Sequence, residues 1–273
     1  MNRQEILQTF WLFGIKQAYA CLFGGYLLAI IVITAFYYPF HSLHRYDFLF
    51  LSAVAFQVFL IATRLESTRE VLVILVFHVL ATCMELFKTS PAIRSWNYPG
   101  QYVIGIAGVP LFAGFMYSAV GSYIARVWRV FEFRFSHYPD VRLTVVLVIA
   151  IYVNFFTHHF FFDIRWILVV FAFALYGRTM IYFKVAEKYL KMPLLLGFLL
   201  VSLFIWFAEN ISTLSSVWVY PNQRHGWHMV SPEKLVAWWL LMMISFVLVS
   251  LVHKPRAMSA AADVPLVAEQ EPG

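Results

Sequence analysis

The sequence predicts an all-α, polytopic membrane bundle of about eight transmembrane helices in two parallel four-helix repeats, and three observations carry that prediction. Of 273 residues, 62% are hydrophobic and 12% charged, far from the roughly half apolar, one-quarter charged balance of soluble domains. Apolar stretches long enough to cross a hydrocarbon layer of about 30 Å recur from residue 18 almost to residue 253. A motif of tryptophan, tyrosine and proline occurs twice, four apolar stretches apart.

Hydropathy places the spans at 18–36, 48–62, 71–87, 102–124, 143–156, 164–182, 192–208 and 235–252. The first stretch is too long for a signal-peptide core and no small-residue cleavage site follows it, so it is expected to remain as an uncleaved span. Several stretches are shorter than about 20 residues, which leaves a tilted or re-entrant segment as the alternative to a full crossing. Fourteen of the 20 Lys and Arg residues fall in alternate connections, among them Arg126, Arg129, Lys184 and Lys188. Basic residues concentrate on the cytoplasmic side, so an even span count with both termini cytoplasmic follows. The net charge of +6 points to the lipid bilayer and its anionic headgroups as the partner, with no nucleic acid. Residues 1–253 are expected to form one transmembrane domain, with repeat halves at about 18–126 and 143–252. Residues 254–273 have no periodicity and read as a disordered cytoplasmic tail. Cys21 and Cys83 fall near opposite membrane faces in this layout, too far apart for a disulfide.

The duplication is the informative feature. The third span ends in Met84-Glu85, then comes Trp96-Asn97-Tyr98-Pro99, and Pro110 opens the next span. The seventh ends in Ala208-Glu209, then comes Trp218-Val219-Tyr220-Pro221, and Pro232 opens the last. From Tyr to the second Pro the spacing is twelve residues in both copies, and the tyrosines stand 122 residues apart. Copies four spans apart face the same side of the membrane, which makes the repeat parallel and puts both loops on the outer face. A weaker echo places His41, His44 and Asp47 in the first outer loop and His158, His159 and Asp163 in the third.

The runs Arg45-Tyr46-Asp47-Phe48-Leu49-Phe50-Leu51 and Gly108-Val109-Pro110-Leu111-Phe112, the stretch Asn154-Phe155-Phe156-Thr157-His158-His159, and Ala208-Glu209-Asn210 with Gln223-Arg224-His225-Gly226-Trp227 resemble the YoaT-like bacterial membrane proteins, domain-of-unknown-function family 817. The resemblance reaches to about Leu251 and implies a multi-pass protein of the bacterial inner membrane, without implying an activity. More distantly, a carboxylate at a helix end, a Trp-x-Tyr loop and a Pro opening the next helix are similar to the membrane carotenoid cyclases and hydratases. Those enzymes follow the Pro with paired acidic residues, whereas Glu233 and Lys234 follow Pro232 here.

Charged groups inside a membrane are costly and mark cavities or partners, so Glu85 and Glu209 are the candidate catalytic pair. His78, Thr82 and Glu85 share one helix face, and Ser202, Trp206 and Glu209 repeat that stripe. A buried carboxyl can act as a general acid, with His78 on its proton path. Trp96, Tyr98, Trp218 and Tyr220 can hold a substrate and stabilise positive charge with their ring faces, and Asn210 and Arg224 add polar substrate contacts. The structural alternative is that the glutamates accept hydrogen bonds from neighbouring helices and the aromatic residues form an interfacial belt. His158, His159, His225 and His228 form a second candidate set, as imidazole ligands of a zinc- or iron-like ion, although no zinc-protease helix motif or histidine box is present.

These residues suit a membrane-embedded enzyme that performs acid–base chemistry on an isoprenoid or lipid with paired carboxylates. They also suit a transporter or metal-handling protein, or a structural and assembly protein without chemistry. No cofactor is specified by the sequence, since phosphate-binding glycine loops, nucleophile elbows and dinucleotide fingerprints are missing from it.

Overall fold

The computed structural model describes residues 3–258. The chain begins with helix α1 (Arg3–Ala20) and α2 (Leu22–Phe36), bent by 71° at Cys21. Helices α3 (Arg45–Ala62), α4 (Thr68–Thr89) and α5 (Phe112–Val130) follow, the last preceded by a small hairpin of β1 (Gly105–Ile106) and β2 (Val109–Pro110). The remaining order is β3 (Arg134–Ser136), α6 (Val141–Thr157), α7 (Arg165–Tyr176), β4 (Met180–Lys184), β5 (Tyr189–Pro193), α8 (Leu194–Leu214), a 3-10 turn at Pro221–Gln223 and α9 (Lys234–His253). Among the described residues four helices, α3, α4, α8 and α9, are long and apolar enough to cross a membrane, or five spans if the bent α1–α2 pair counts as one. Large apolar side chains such as Phe36, Phe162 and Phe204 are exposed around the bundle, as lipid-facing surface requires.

Local chemistry explains several boundaries. Ser67 and Glu70 form a reciprocal capping box that starts α4, which satisfies two orphan amide donors. Asp140 caps α6 through the Arg142 amide. Ala107 and Gly108, both at positive φ, make the two-residue turn of the β1–β2 hairpin, a conformation that glycine adopts without a side-chain clash. This hairpin moves the start of the fourth expected span from residue 102 to Phe112. The break at Cys21 is held from outside, because Arg126 donates to the Tyr19 carbonyl at 3.2 Å.

Helices α5 and α9 are the two central elements. Helix α5 packs against α1, α2, α3, α4 and α9, and α9 against α4, α5, α6, α7 and α8. The α4–α5 contact is close because Gly114 faces His78 and Thr82 and Gly121 faces Phe77, small residues letting two backbones approach.

Charged connections expected to be loops instead form a three-stranded antiparallel sheet, β3–β4–β5, with Phe135 opposite Ile181 and Ile181 opposite Met192. The sixth expected span therefore ends as helix at Tyr176 and continues as strand β4. Residues 254–258, the start of the expected disordered tail, run beside β3: the Phe135 amide donates to Arg256 O and the Met258 amide to Phe135 O. The rest of that tail, 259–273, lies outside the described residues.

Candidate functional site

Both glutamates are buried, Glu85 at 1% exposure and Glu209 at 3%, and each sits in a cage of aromatic donors. On Glu85, Oε2 accepts from the Trp96 indole at 2.8 Å and the Tyr98 hydroxyl at 2.7 Å, and Oε1 accepts from the Tyr117 hydroxyl at 2.7 Å. On Glu209, Oε1 accepts from the Tyr220 hydroxyl and Oε2 from the Trp238 indole at 2.8 Å. Burial and the neighbouring carboxylate hold the Tyr98 and Tyr220 phenols well above their ordinary range, so both keep the protons they donate. Helix α8 runs on to Leu214, which puts Glu209 more than a turn inside the helix rather than at its end.

The two cages interlock. The Trp96 and Tyr220 rings meet edge to face at 6.1 Å, and Tyr117 meets Trp238 at the same separation. Between them the motif loops pair backbone to backbone: the Asn97 amide donates to Val219 O at 3.1 Å and the Val219 amide to Asn97 O at 3.0 Å. The Arg45-Tyr46-Asp47 run ties this end together. The Arg45 guanidinium donates to Ile31 O and Ser215 O, the Tyr46 hydroxyl to Val217 O, and the Asp47 carboxylate accepts the Val103 and Ile104 amides.

Tyr117 and Trp238 also line an apolar groove between α4, α6, α8 and α9, walled further by Leu80, Met84, Tyr152 and Ile205. It is half open, and the cavity it encloses is about 40 Å³. Each cage therefore has one member whose ring faces this groove.

The family model described as "Protein of unknown function (DUF817)" matches residues 9–246. The chain belongs to this family. The uncharacterized protein YoaT of Bacillus subtilis (strain 168) is 39% identical over 247 residues, which is 90% of this chain and 92% of that relative. No solved structure matches.

Other candidate residues of this DUF817 chain are placed differently from one another. The His78 ring lies against Phe115 with centroids 4.7 Å apart, and its Nδ1 is buried with no partner among the described residues. Trp218 packs with Val217 in a core cluster and has no bond to Glu209, a role Trp238 takes instead. Asn210 is a loop tether, its Oδ1 accepting the Val230 amide and its Nδ2 donating to Trp206 O. Arg224 lies on the rim of a separate open cleft of about 530 Å³ beside Asn97 and Trp227.

The four histidines expected to share an ion are distributed between two environments. His158 and His159 turn to the buried Lys88, whose Nζ is 3.4 and 2.6 Å from their Nε2 atoms, while His225 and His228 are exposed in the stretch after the Pro221–Gln223 turn. No three His, Cys, Asp or Glu side chains are grouped for a metal among the described residues.

A polar network at the opposite end of α4 escaped the sequence reading. Buried Glu66 pairs with buried Arg126 at 2.8 Å and accepts from Ser122 and Gln57. Nearby, Glu70 Oε1 and His253 Nε2 face each other at 3.9 Å, both buried and without a hydrogen bond among the described residues. Arg126 and Glu66 lie 60 residues apart in the chain, and neither has a repeated partner to betray it.

Proposed function

We propose that the caged glutamates are the reaction centre of a membrane-embedded enzyme that performs acid–base chemistry on an isoprenoid or other apolar lipid. The observation that carries this reading is the position of Tyr117 and Trp238, each bonded to one glutamate and each lining the apolar groove. A substrate chain enters the groove from the bilayer, which suits its open side and its almost wholly apolar walls. Glu85 serves as acid and base through the Tyr117 hydroxyl, which passes a proton between carboxylate and substrate. The faces of Tyr117 and Trp238 stabilise the positive charge that protonation of an alkene creates.

The surrounding bundle, in this reading, crosses a bacterial inner membrane eight times with both termini cytoplasmic. The shorter apolar helices α6 and α7 and the more polar α5 complete the count, and α2–α5 and α6–α9 are the two parallel repeats. Support comes from the matching order helix, Trp-x-Tyr-Pro loop, helix in α4–α5 and α8–α9.

The test is proton exchange at carbon. Purified protein in nanodiscs is incubated with isoprenoids and native lipids in deuterated water, and products are read by mass spectrometry. Deuterium incorporation or addition of water that disappears in Glu85→Gln and Tyr117→Phe is the expected result. Identical spectra with and without protein would overturn the reading.

Proton-coupled transport is the second reading. It is favoured by the succession Glu70, His78 and Glu85 along α4, with buried unpartnered atoms on the first two. Acidification of proteoliposomes that requires His78 would select it.

A further inference from the structure

Lys88 is an unusual residue for a bundle interior. It is only 4% exposed and forms no ion pair among the described residues. Its ammonium is held instead by two imidazoles and by the Phe155 ring, 4.2 Å from the centroid. His158 Nδ1 lies 2.8 Å from the Asn154 carbonyl, which assigns the proton to Nδ1 and leaves Nε2 as an acceptor for Lys88. Burial and the Lys88 charge push His159 down to about 4, so the pair stays neutral and adds no counter-charge. A buried cation without a counter-ion is costly, and such residues mark ligand sites by default.

A second cation stands next to it. Lys234 Nζ rests 4.5 Å over the Tyr220 ring and 5.9 Å over the Trp96 ring and has no hydrogen bond among the described residues. It is close enough to Lys88 for the two charges to repel, as Arg165 is too. The nearby carboxylate Asp163 is already committed to Arg165 at 2.8 Å. Two lysines thus converge on one place, Lys234 with its ammonium donors unspent and Lys88 with one donor beyond those facing its two imidazoles.

The position of this place relative to the groove is decisive. Lys88 is one helical turn beyond Met84, Lys234 one turn before Trp238, and His158 and His159 about two turns beyond Tyr152. Met84, Trp238 and Tyr152 all line the groove. The cationic cluster therefore caps the same end of the groove from three helices.

We infer that Lys88 and Lys234, on the floor provided by His158 and His159, bind the phosphate or diphosphate group of an amphiphile whose apolar chain lies in the groove. The anion site stands on the lysines alone; the placement of the chain rests on the function proposed above. A phosphate oxygen accepts from both ammonium groups and supplies the counter-charge that Lys88 lacks, Lys234 already standing within the field of the Glu209 carboxylate. The ligand class is a prenyl or acyl chain bearing a phosphate head, and free inorganic phosphate shares the head-group chemistry without the chain.

The experiment titrates the purified full-length protein in detergent with inorganic diphosphate and, separately, with farnesyl diphosphate. Binding is read by tryptophan fluorescence, since Trp96 and Trp238 flank the site, and by ³¹P NMR. Farnesyl diphosphate is expected to bind more tightly than inorganic diphosphate, and each of Lys88→Met and Lys234→Met to weaken both by about ten- to hundredfold. Lys234 is only partly buried, so its variant tests the site even where Lys88→Met fails to fold. Glu85→Gln is expected to retain binding, so loss of turnover in that variant with binding intact separates the enzyme reading from this one. Equal affinity for the two ligands would overturn the placement of the chain in the groove. Lack of binding, or binding unchanged in both lysine variants, would overturn the anion site.

Discussion

Replacing Glu85 asks how firmly this end of the bundle depends on a single acceptor. In Glu85→Ala, the Trp96 indole, the Tyr98 hydroxyl and the Tyr117 hydroxyl all lose the atom they donate to. A buried donor left unpaired costs about 1–3 kcal/mol, so three cost roughly 3–9 kcal/mol, and water entering the vacated space holds the loss near the lower end. Glu85→Gln differs in kind. Its amide oxygen still accepts from Trp96 and Tyr98, and its NH₂ can donate to the Tyr117 oxygen once that hydroxyl rotates. The loss is then the difference between a charged and a neutral acceptor, about 1 kcal/mol. A gap of at least about 2 kcal/mol between the two variants follows, or about thirtyfold or more in the folding equilibrium. Reversible unfolding in mixed micelles, followed by tryptophan fluorescence, measures it. If the alanine and glutamine variants unfold within about 0.5 kcal/mol of each other, the three donors do not depend on Glu85 and the cage is wrongly drawn.

Three further outcomes are expected. Gly114→Ala places a Cβ 2.6 Å from the His78 ring and 2.9 Å from the Thr82 hydroxyl and should destabilise by about 1–3 kcal/mol, while Gly25→Ala, within α2 and facing open space, should stabilise by up to about 1 kcal/mol in the same melt. Arg126→Met strands the buried Glu66 carboxylate and should cost about 3–5 kcal/mol; a double-mutant cycle with Glu66→Gln should recover most of that, and strict additivity would refute the pairing. The His158 and His159 imidazoles are held down chiefly by burial, His159 to about 4, so the folded state binds fewer protons than the unfolded chain. Their stabilisation is complete above about pH 6.5 and is lost as pH falls toward 4. Thermal melts from pH 7 to pH 4 should therefore fall less steeply for His159→Asn than for the parent, and equal slopes would sink the assignment.

The helices and the duplicated motif were legible because hydropathy and a fixed spacing are local properties of a chain. Glu85, Trp96 and Tyr98 stand within 13 residues, and their partnership can be read from that stretch alone. Tyr117 and Trp238 could not be read that way. They lie seven and six residues beyond Pro110 and Pro232, unequal offsets that a repeat comparison passes over, and one is a phenol where the other is an indole. The sheet was missed for a different reason. Met180-Ile181-Tyr182-Phe183-Lys184 alternates buried and half-buried residues, but its apolar members extended the hydropathy of the preceding helix, so a period of two was absorbed into a span. The Lys88 cluster depends on α4 and α6 ending side by side, across 71 residues of chain, and only tertiary packing brings that about.

The reciprocal bond pair between Asn97 and Val219 sets the order in which this protein can be assembled. Its two strands of backbone are separated by more than a hundred residues and by helices α5 to α8, and contacts of such long range are made late because chain entropy opposes them. Helix α8 and the loop after it must be in place before the loop after α4 finds its partner, so Asn97 waits without that backbone partner until Val219 arrives. Closure of this end then depends on the chain through Val219: a chain truncated before that residue leaves the Asn97 amide and carbonyl without their partners.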